Sequence, residues 1–151
     1  LRFFVNVNPG EDRVWVSKGP FSELLGRFGR EAGLLPAGDL HEGPLDRLRS
    51  AASRVLGAVV PPARLLDSSP YDRAMRRFHN YMKDTPSFQA LKEGQREFRC
   101  KPFSAWMVFT DGISHSVLTG QHALVTTVLV PLANCRIPEL APYRVLARSA
   151  A

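Results

Sequence analysis

The chain has 151 residues, 44% hydrophobic and 23% charged, with 20 basic against 14 acidic side chains and a formal charge of +6. That length suits one ordinary domain with a real core, and no apolar run approaches the ~20 residues a membrane-spanning helix needs. The positive balance favours anionic partners, whether nucleic acid, phosphorylated sugar or lipid surface, without choosing among them.

In chain order, Leu1 opens inside an apolar run with no signal-peptide pattern, so the amino terminus reads as cut. Alternation over residues 1–7 predicts a strand with Arg2, Phe4 and Asn6 on one face and Phe3, Val5 and Val7 on the other. If the first face lines a cavity, Arg2 is able to grip a carboxylate with its two-pronged guanidinium; if it faces water, Arg2 is an ordinary solvated cation. Asn8-Pro9-Gly10 reads as a turn and residues 13–16 as a returning strand, with Trp15 as a core or rim aromatic.

From about residue 20 to 95 the pattern becomes helical. Phe21, Leu24, Leu25 and Phe28 share one helix face, and Leu45, Leu48, Ala52, Val55 and Leu56 share another between Pro44 and Gly57. Residues 34–43 form a Gly/Pro-rich loop, Pro61-Pro62 a break, and Ser68-Ser69-Pro70 a helix start. The next helix, residues 71–83, carries Tyr71, Met75, Phe78 and Met82 as a core stripe, with His79 at its border. Arg73, Arg76, Arg77 and Lys83 lie mostly elsewhere, as a solvated face or a meeting place for phosphate or an anionic membrane. Pro86 ends this helix, a short one follows towards Gln95, and residues 98–102 lead onward.

Residues 104–131 predict a three-strand antiparallel meander, with turns at Asp111-Gly112 and Gly120-Gln121. His115 shares a face with Ile113 and Val117, where an imidazole is either a satisfied core histidine or a ligand. The meander places His115 and His122 on neighbouring strands, yet two histidines alone make no metal site. The tail, with Pro138 and Pro142, ends in a covering strand or helix at residues 143–148 that carries no chemistry. Cys100 and Cys135 stand apart, without metal-finger spacing, and read as reduced thiols. No P-loop, dinucleotide turn or nucleophile elbow occurs. The aromatics follow core spacing instead of interleaving with the cations, which argues against a nucleic-acid surface.

Four segments carry a family resemblance: LRFFVNVNPGEDRVW from Leu1, YDRAMRRFHNYMKDTPSFQ from Tyr71, KPFSAWMVFTDGISHSVLTGQHAL from Lys101, and the closing LVPLA with PYRVLAR. In that order the chain resembles the carboxy-terminal part of the 3-deoxy-D-manno-oct-2-ulosonic acid (Kdo) hydroxylases, and the run from Trp106 to His115 is the most specific part. The resemblance implies a single α+β, mainly β domain over residues 1–151. Its fold would be a partial double-stranded β-helix, a cupin-like jelly roll, with a helical insertion at about residues 20–95. It implies Fe(II) and 2-oxoglutarate as cofactors and hydroxylation of Kdo on lipid A or the lipopolysaccharide inner core. It also implies a cytoplasmic bacterial enzyme in peripheral contact with the inner membrane.

By resemblance, His115 is the distal histidine of a His-x-Asp…His iron triad. Arg2 is the basic residue for the distal carboxylate of 2-oxoglutarate, with Asn6 beside it. On charge alone, and not by any motif, Arg76 and Lys83 are candidates to meet the anionic sugar or lipid phosphates. The departure is that His41, His79, His115 and His122 are followed two residues later by Gly43, Tyr81, Val117 and Leu124, never by Asp or Glu. The chain therefore reads as an enzyme fragment, inactive alone. The rival reading is a non-catalytic cupin-like module that binds an anionic sugar or lipid.

Overall fold

The computed structural model describes residues 1–35, 44, 45, 48 and 69–149. Six strands are present: β1 (Arg2–Asn6), β2 (Arg13–Ser17), β3 (Arg96–Cys100), β4 (Ala105–Val108), β5 (Ser116–Thr119) and β6 (Ala123–Thr127). Within residues 1–35 and 69–149 four helices accompany them: α1 (Phe21–Phe28), α2 (Pro70–Asp84), α3 (Pro86–Ala90) and α4 (Pro142–Arg148). The architecture is thus mixed helix and sheet, and α1, α2 and α3 fall between β2 and β3, within the expected insertion.

The strands form two antiparallel three-stranded sheets, β4-β1-β6 and β3-β2-β5. This corrects the expected meander, because no two of β4, β5 and β6 pair. After β4 a short 3-10 turn, Thr110–Gly112, carries the chain to the other sheet, where Ile113 bridges Pro20 and β5 joins β2. Gly120 to His122 then return it to β1. Likewise β2 does not pair with β1 but lies in the opposite sheet. Alternation assigns strand faces; it is silent on which strand is the neighbour.

The sheets meet through aromatic rings. Phe4 is opposite Trp106 in the β1–β4 register and stacks on it at 5.3 Å, and Trp15 from the other sheet meets Phe4 edge-on at 4.7 Å. Trp15 is also edge-on to Trp106, at 5.7 Å and 87°. These offset and T-shaped arrangements bring electropositive ring edges to π faces.

The helices build a second core. A reciprocal capping box between Ser69 and Asp72, with proline in the first turn, starts α2. Phe78 on its apolar stripe packs edge-on to Phe21 of α1 at 5.7 Å. Leu24, Leu25, Phe88 of α3 and Leu146 of α4 complete the cluster, so the tail segment is a helix whose Leu146 is part of the core. Of the helix expected after Pro44, Pro44, Leu45 and Leu48 are helical and exposed. Ala52, Val55, Leu56, Gly57, Pro61-Pro62 and Ser68 lie outside the described residues. β3, charged and solvent-facing, is a strand that the sequence pattern did not announce.

Candidate functional site

His115 ends the loop that enters β5, and three neighbours fix it. Its ring lies flat against Trp15 at 5.3 Å and 16°. Its Nδ1 is 3.1 Å from the Ile113 carbonyl oxygen. A carbonyl only accepts, so in the neutral ring Nδ1 carries the proton and donates, which leaves the lone pair on Nε2. The loop itself is anchored where the Lys18 amide donates to Ser114 Oγ at 2.8 Å and the Ser114 amide donates to the Gly19 carbonyl at 3.1 Å. A carbonyl-held Nδ1–H with Nε2 free is the tautomer and orientation a metal-binding histidine needs.

Three cavities converge on His115. One of about 740 Å³ lies between the sheets, against Trp15, Phe98 and Trp106. A second, about 500 Å³, is lined by Arg2, Asp72, Arg76, His79 and Asp111 together with His115. A third, about 290 Å³, joins His115 to Lys18, His79 and Lys83. The fold therefore brings Arg2 from β1, Arg76 from α2 and His115 around one cavity, with Lys83 in the adjoining one. Among the described residues no carboxylate pairs with Arg2, Arg76 or Lys83. His79, at the border of the α2 core stripe, lines both the second and the third cavity.

Asn6 is not there, which corrects its expected place beside Arg2. It is fully buried. Its Nδ2 donates to the Glu11 and Cys100 carbonyls at 2.9 and 3.0 Å, and its Oδ1 accepts from the Asn8 amide at 3.0 Å. With both amide hydrogens donated inside the protein and no part of it lining the three cavities, Asn6 ties the β1–β2 turn to the end of β3.

His122 is no partner of His115 either. It lies in the β5–β6 connection with φ 62, exposed, its carbonyl accepting from the Val7 amide at 2.9 Å. The four residues of β5 intervene, about 13 Å of strand. Among the described residues no group of three His, Cys, Asp or Glu side chains is placed to hold a metal ion. The donor chemistry of His115 fits one position of a facial triad; the described residues do not supply the other two. Cys100 and Cys135 are free thiols, and burial pushes the Cys100 thiol up, away from the reactive thiolate form.

The family model for 3-deoxy-D-manno-oct-2-ulosonic acid (Kdo) hydroxylase matches residues 1–151. The chain belongs to the Kdo hydroxylase family. Among solved structures it is similar to the Kdo hydroxylase KdoO, a non-heme Fe(II) alphaketoglutarate dependent dioxygenase, in complex with alphaketoglutarate and Fe(III). That match has 27% identity and a TM-score of 0.69, covering 98% of this chain and 45% of KdoO. The cobalt(II) complex of KdoO gives the same figures, and its apo structure 25% identity and a TM-score of 0.54 at the same coverage. No curated protein matches the chain. The chain thus spans less than half the length of KdoO, a member of the family that holds its metal together with alphaketoglutarate.

Proposed function

We propose that this chain is the distal-ligand part of an Fe(II)- and 2-oxoglutarate-dependent dioxygenase that hydroxylates Kdo on lipid A or the lipopolysaccharide inner core. The observation that carries the reading is His115, its tautomer set by the Ile113 carbonyl and its ring set by Trp15, where three cavities meet. In this reading His115 Nε2 is one iron ligand, Arg2 holds the distal carboxylate of 2-oxoglutarate, and Arg76 and Lys83 receive the anionic substrate. Iron with 2-oxoglutarate, when bound, would supply the oxidising chemistry with dioxygen as the oxidant: one oxygen atom would enter the substrate C–H bond as hydroxyl and the other the succinate left when 2-oxoglutarate loses carbon dioxide. This chain's residues orient one ligand and wall the pocket.

The fold proposed is a double-stranded β-helix. Its support is the sheet pattern: β5 and β6 are edge strands of opposite sheets, joined by the three residues Gly120 to His122. So short a link, against sheets ~10 Å apart, puts both edges on one flank. Val117 and Val125, opposite Trp15 and Phe4 in register, are half-exposed there. Two further strands pairing on these edges would cover both valines and bring in the His-x-Asp ligands, so the chain alone is proposed to be inactive. Its proposed site of action is the cytoplasm, with Arg2, Arg76 and Lys83 facing the inner membrane surface. That no group of three His, Cys, Asp or Glu side chains among the described residues could hold a metal favours a second reading, a non-catalytic module that binds an anionic sugar or lipid.

Anaerobic titration with iron(II) and 2-oxoglutarate separates them. The chain alone is expected to give no visible charge-transfer band. A longer polypeptide that contains the His-x-Asp segment is expected to give one, abolished by His115→Ala. A band that survives His115→Ala overturns the ligand assignment, and no band from the longer polypeptide leaves the binding module.

A further inference from the structure

The smallest of the three cavities has a composition that metal ligation does not explain. Its charged and ionisable lining consists of Lys18, His79, Lys83 and His115, without a single carboxylate. Arginine and lysine on a protein surface ordinarily sit among acids of opposite sign, and a concave site lined by one sign focuses its potential on whatever enters. The arrangement also has two independent origins. His79 and Lys83 are four residues apart on α2, hence neighbours on one helix face, whereas Lys18 arrives from the end of β2.

Other uses of these groups are incomplete. Lys18 Nζ donates to the Phe88 and Gln89 carbonyls at 2.6 and 2.7 Å, which neutralises the carboxy-terminal end of α3 and leaves one of its three N–H donors unassigned. Burial and then the neighbouring Lys92 hold the Lys18 amine below its usual range, the direction expected of a cation that lacks a counter-charge. Lys83 is in the last turn of α2, where a cation suits the helix dipole, yet its ammonium and the His79 ring have no hydrogen-bond or ion-pair partner among the described residues. A volume of about 290 Å³ accommodates one small oxyanion group and not a whole glycolipid.

We propose that Lys18, His79 and Lys83 form an oxyanion pocket beside His115 that receives one carboxylate or phosphate group of a larger substrate. The proposal deepens the substrate role given to Lys83 and rests on it for the identity of the arriving molecule. Lys18 and His79 become binding residues, and the pocket becomes a fixed anchor that sets which part of the substrate faces His115. Charge-assisted hydrogen bonds from two ammonium groups and an imidazole supply the affinity.

The test needs neither iron nor turnover. Inorganic phosphate and, separately, acetate are titrated into the metal-free chain while the imidazole resonances of His79, His115 and His122 are followed, at constant ionic strength set by chloride. The pocket predicts saturable shifts of His79 and His115 with at least one anion while exposed His122 stays still. Lys83→Gln and His79→Gln, both at exposed positions, should each weaken binding about tenfold. Saturation by phosphate alone identifies a phosphate ester as the anchored group, saturation by acetate alone a carboxylate, and either result supports the pocket. It is overturned if neither anion saturates, if His122 shifts equally, or if affinity is unchanged in both variants. Because His115→Ala removes the proposed iron ligand and leaves all three pocket residues in place, anion binding that persists in His115→Ala separates this site from the fate of the dioxygenase reading.

Discussion

The imidazole of His115 lies flat against the indole of Trp15, ring centroids 5.3 Å apart and planes 16° from parallel. Trp15 in turn meets Phe4 and Trp106 edge-on, so the orientation of the candidate ligand is continuous with the aromatic core between the sheets. Trp15→Leu keeps apolar bulk and removes the stacking face. It is expected to cost about 2 kcal/mol in urea denaturation and to shift and broaden the His115 imidazole resonances. Unchanged resonances would mean that the Ile113 carbonyl alone sets the ring.

Asn6 separates structure from ligand binding. Asn6→Ala leaves the Glu11 and Cys100 carbonyls and the Asn8 amide without their partner in a buried setting, at a cost of about 2–4 kcal/mol. The urea midpoint should fall accordingly. A variant of wild-type stability would show that water replaces the amide at no cost.

Arg2 should behave in the opposite way. It is exposed, and no hydrogen bond from its guanidinium is found among the described residues, so Arg2→Ala is expected to change stability by no more than about 0.5 kcal/mol. In the longer polypeptide the same change should raise half-saturating 2-oxoglutarate about tenfold, the worth of a charge-assisted carboxylate contact. An unaltered 2-oxoglutarate requirement would remove Arg2 from the site.

Tyr71 gives the fold an alkaline limit. Its hydroxyl donates to Asp111 Oδ2 at 3.3 Å, and burial first, then the Asp111 charge, raises its pKa well above the ordinary 10.0. The folded state therefore holds this proton more tightly than the unfolded state. The contribution is complete below pH 10 and is lost progressively as pH rises above it towards the folded value. Tyr71→Phe should cost about 1 kcal/mol at neutral pH and flatten the decline of stability above pH 10, read from thermal melts across pH. An equally steep decline in the variant would assign it to other groups.

Local chemistry was legible where one element decides it. The spacing of Phe21, Leu24, Leu25 and Phe28, and the Ser69-Pro70 start, specify their helices without outside help, and the structure adds Asp72 as the capping partner of Ser69. Sheet partnership was not, because β4, β5 and β6 follow one another in sequence yet never pair, and the 3-10 turn that reroutes them carries the same Asp-Gly pair as a hairpin. β3 was missed because Arg96, Glu97 and Arg99 break the apolar alternation of an edge strand. Within the site, the pattern singled out His115, which the fold sets where three cavities meet. It placed Asn6 with Arg2 because alternation reports a shared face and not whether an amide is already satisfied. Lys18 and His79 escaped because neither departs from its local pattern; only the approach of α2 to the end of β2 sets them around one cavity.

The open flank at β5 and β6 also governs how the molecule behaves in the tube. Leu118, Leu124, Val117 and Val125 are exposed along two strands whose outer backbone groups have no sheet neighbour among the described residues, a template for another copy to add to. The formal charge of +6 opposes that addition by mutual repulsion. Moderate salt screens that repulsion and leaves the apolar edges as sticky as before, so colloidal stability should be best in dilute buffer and fail as ionic strength rises.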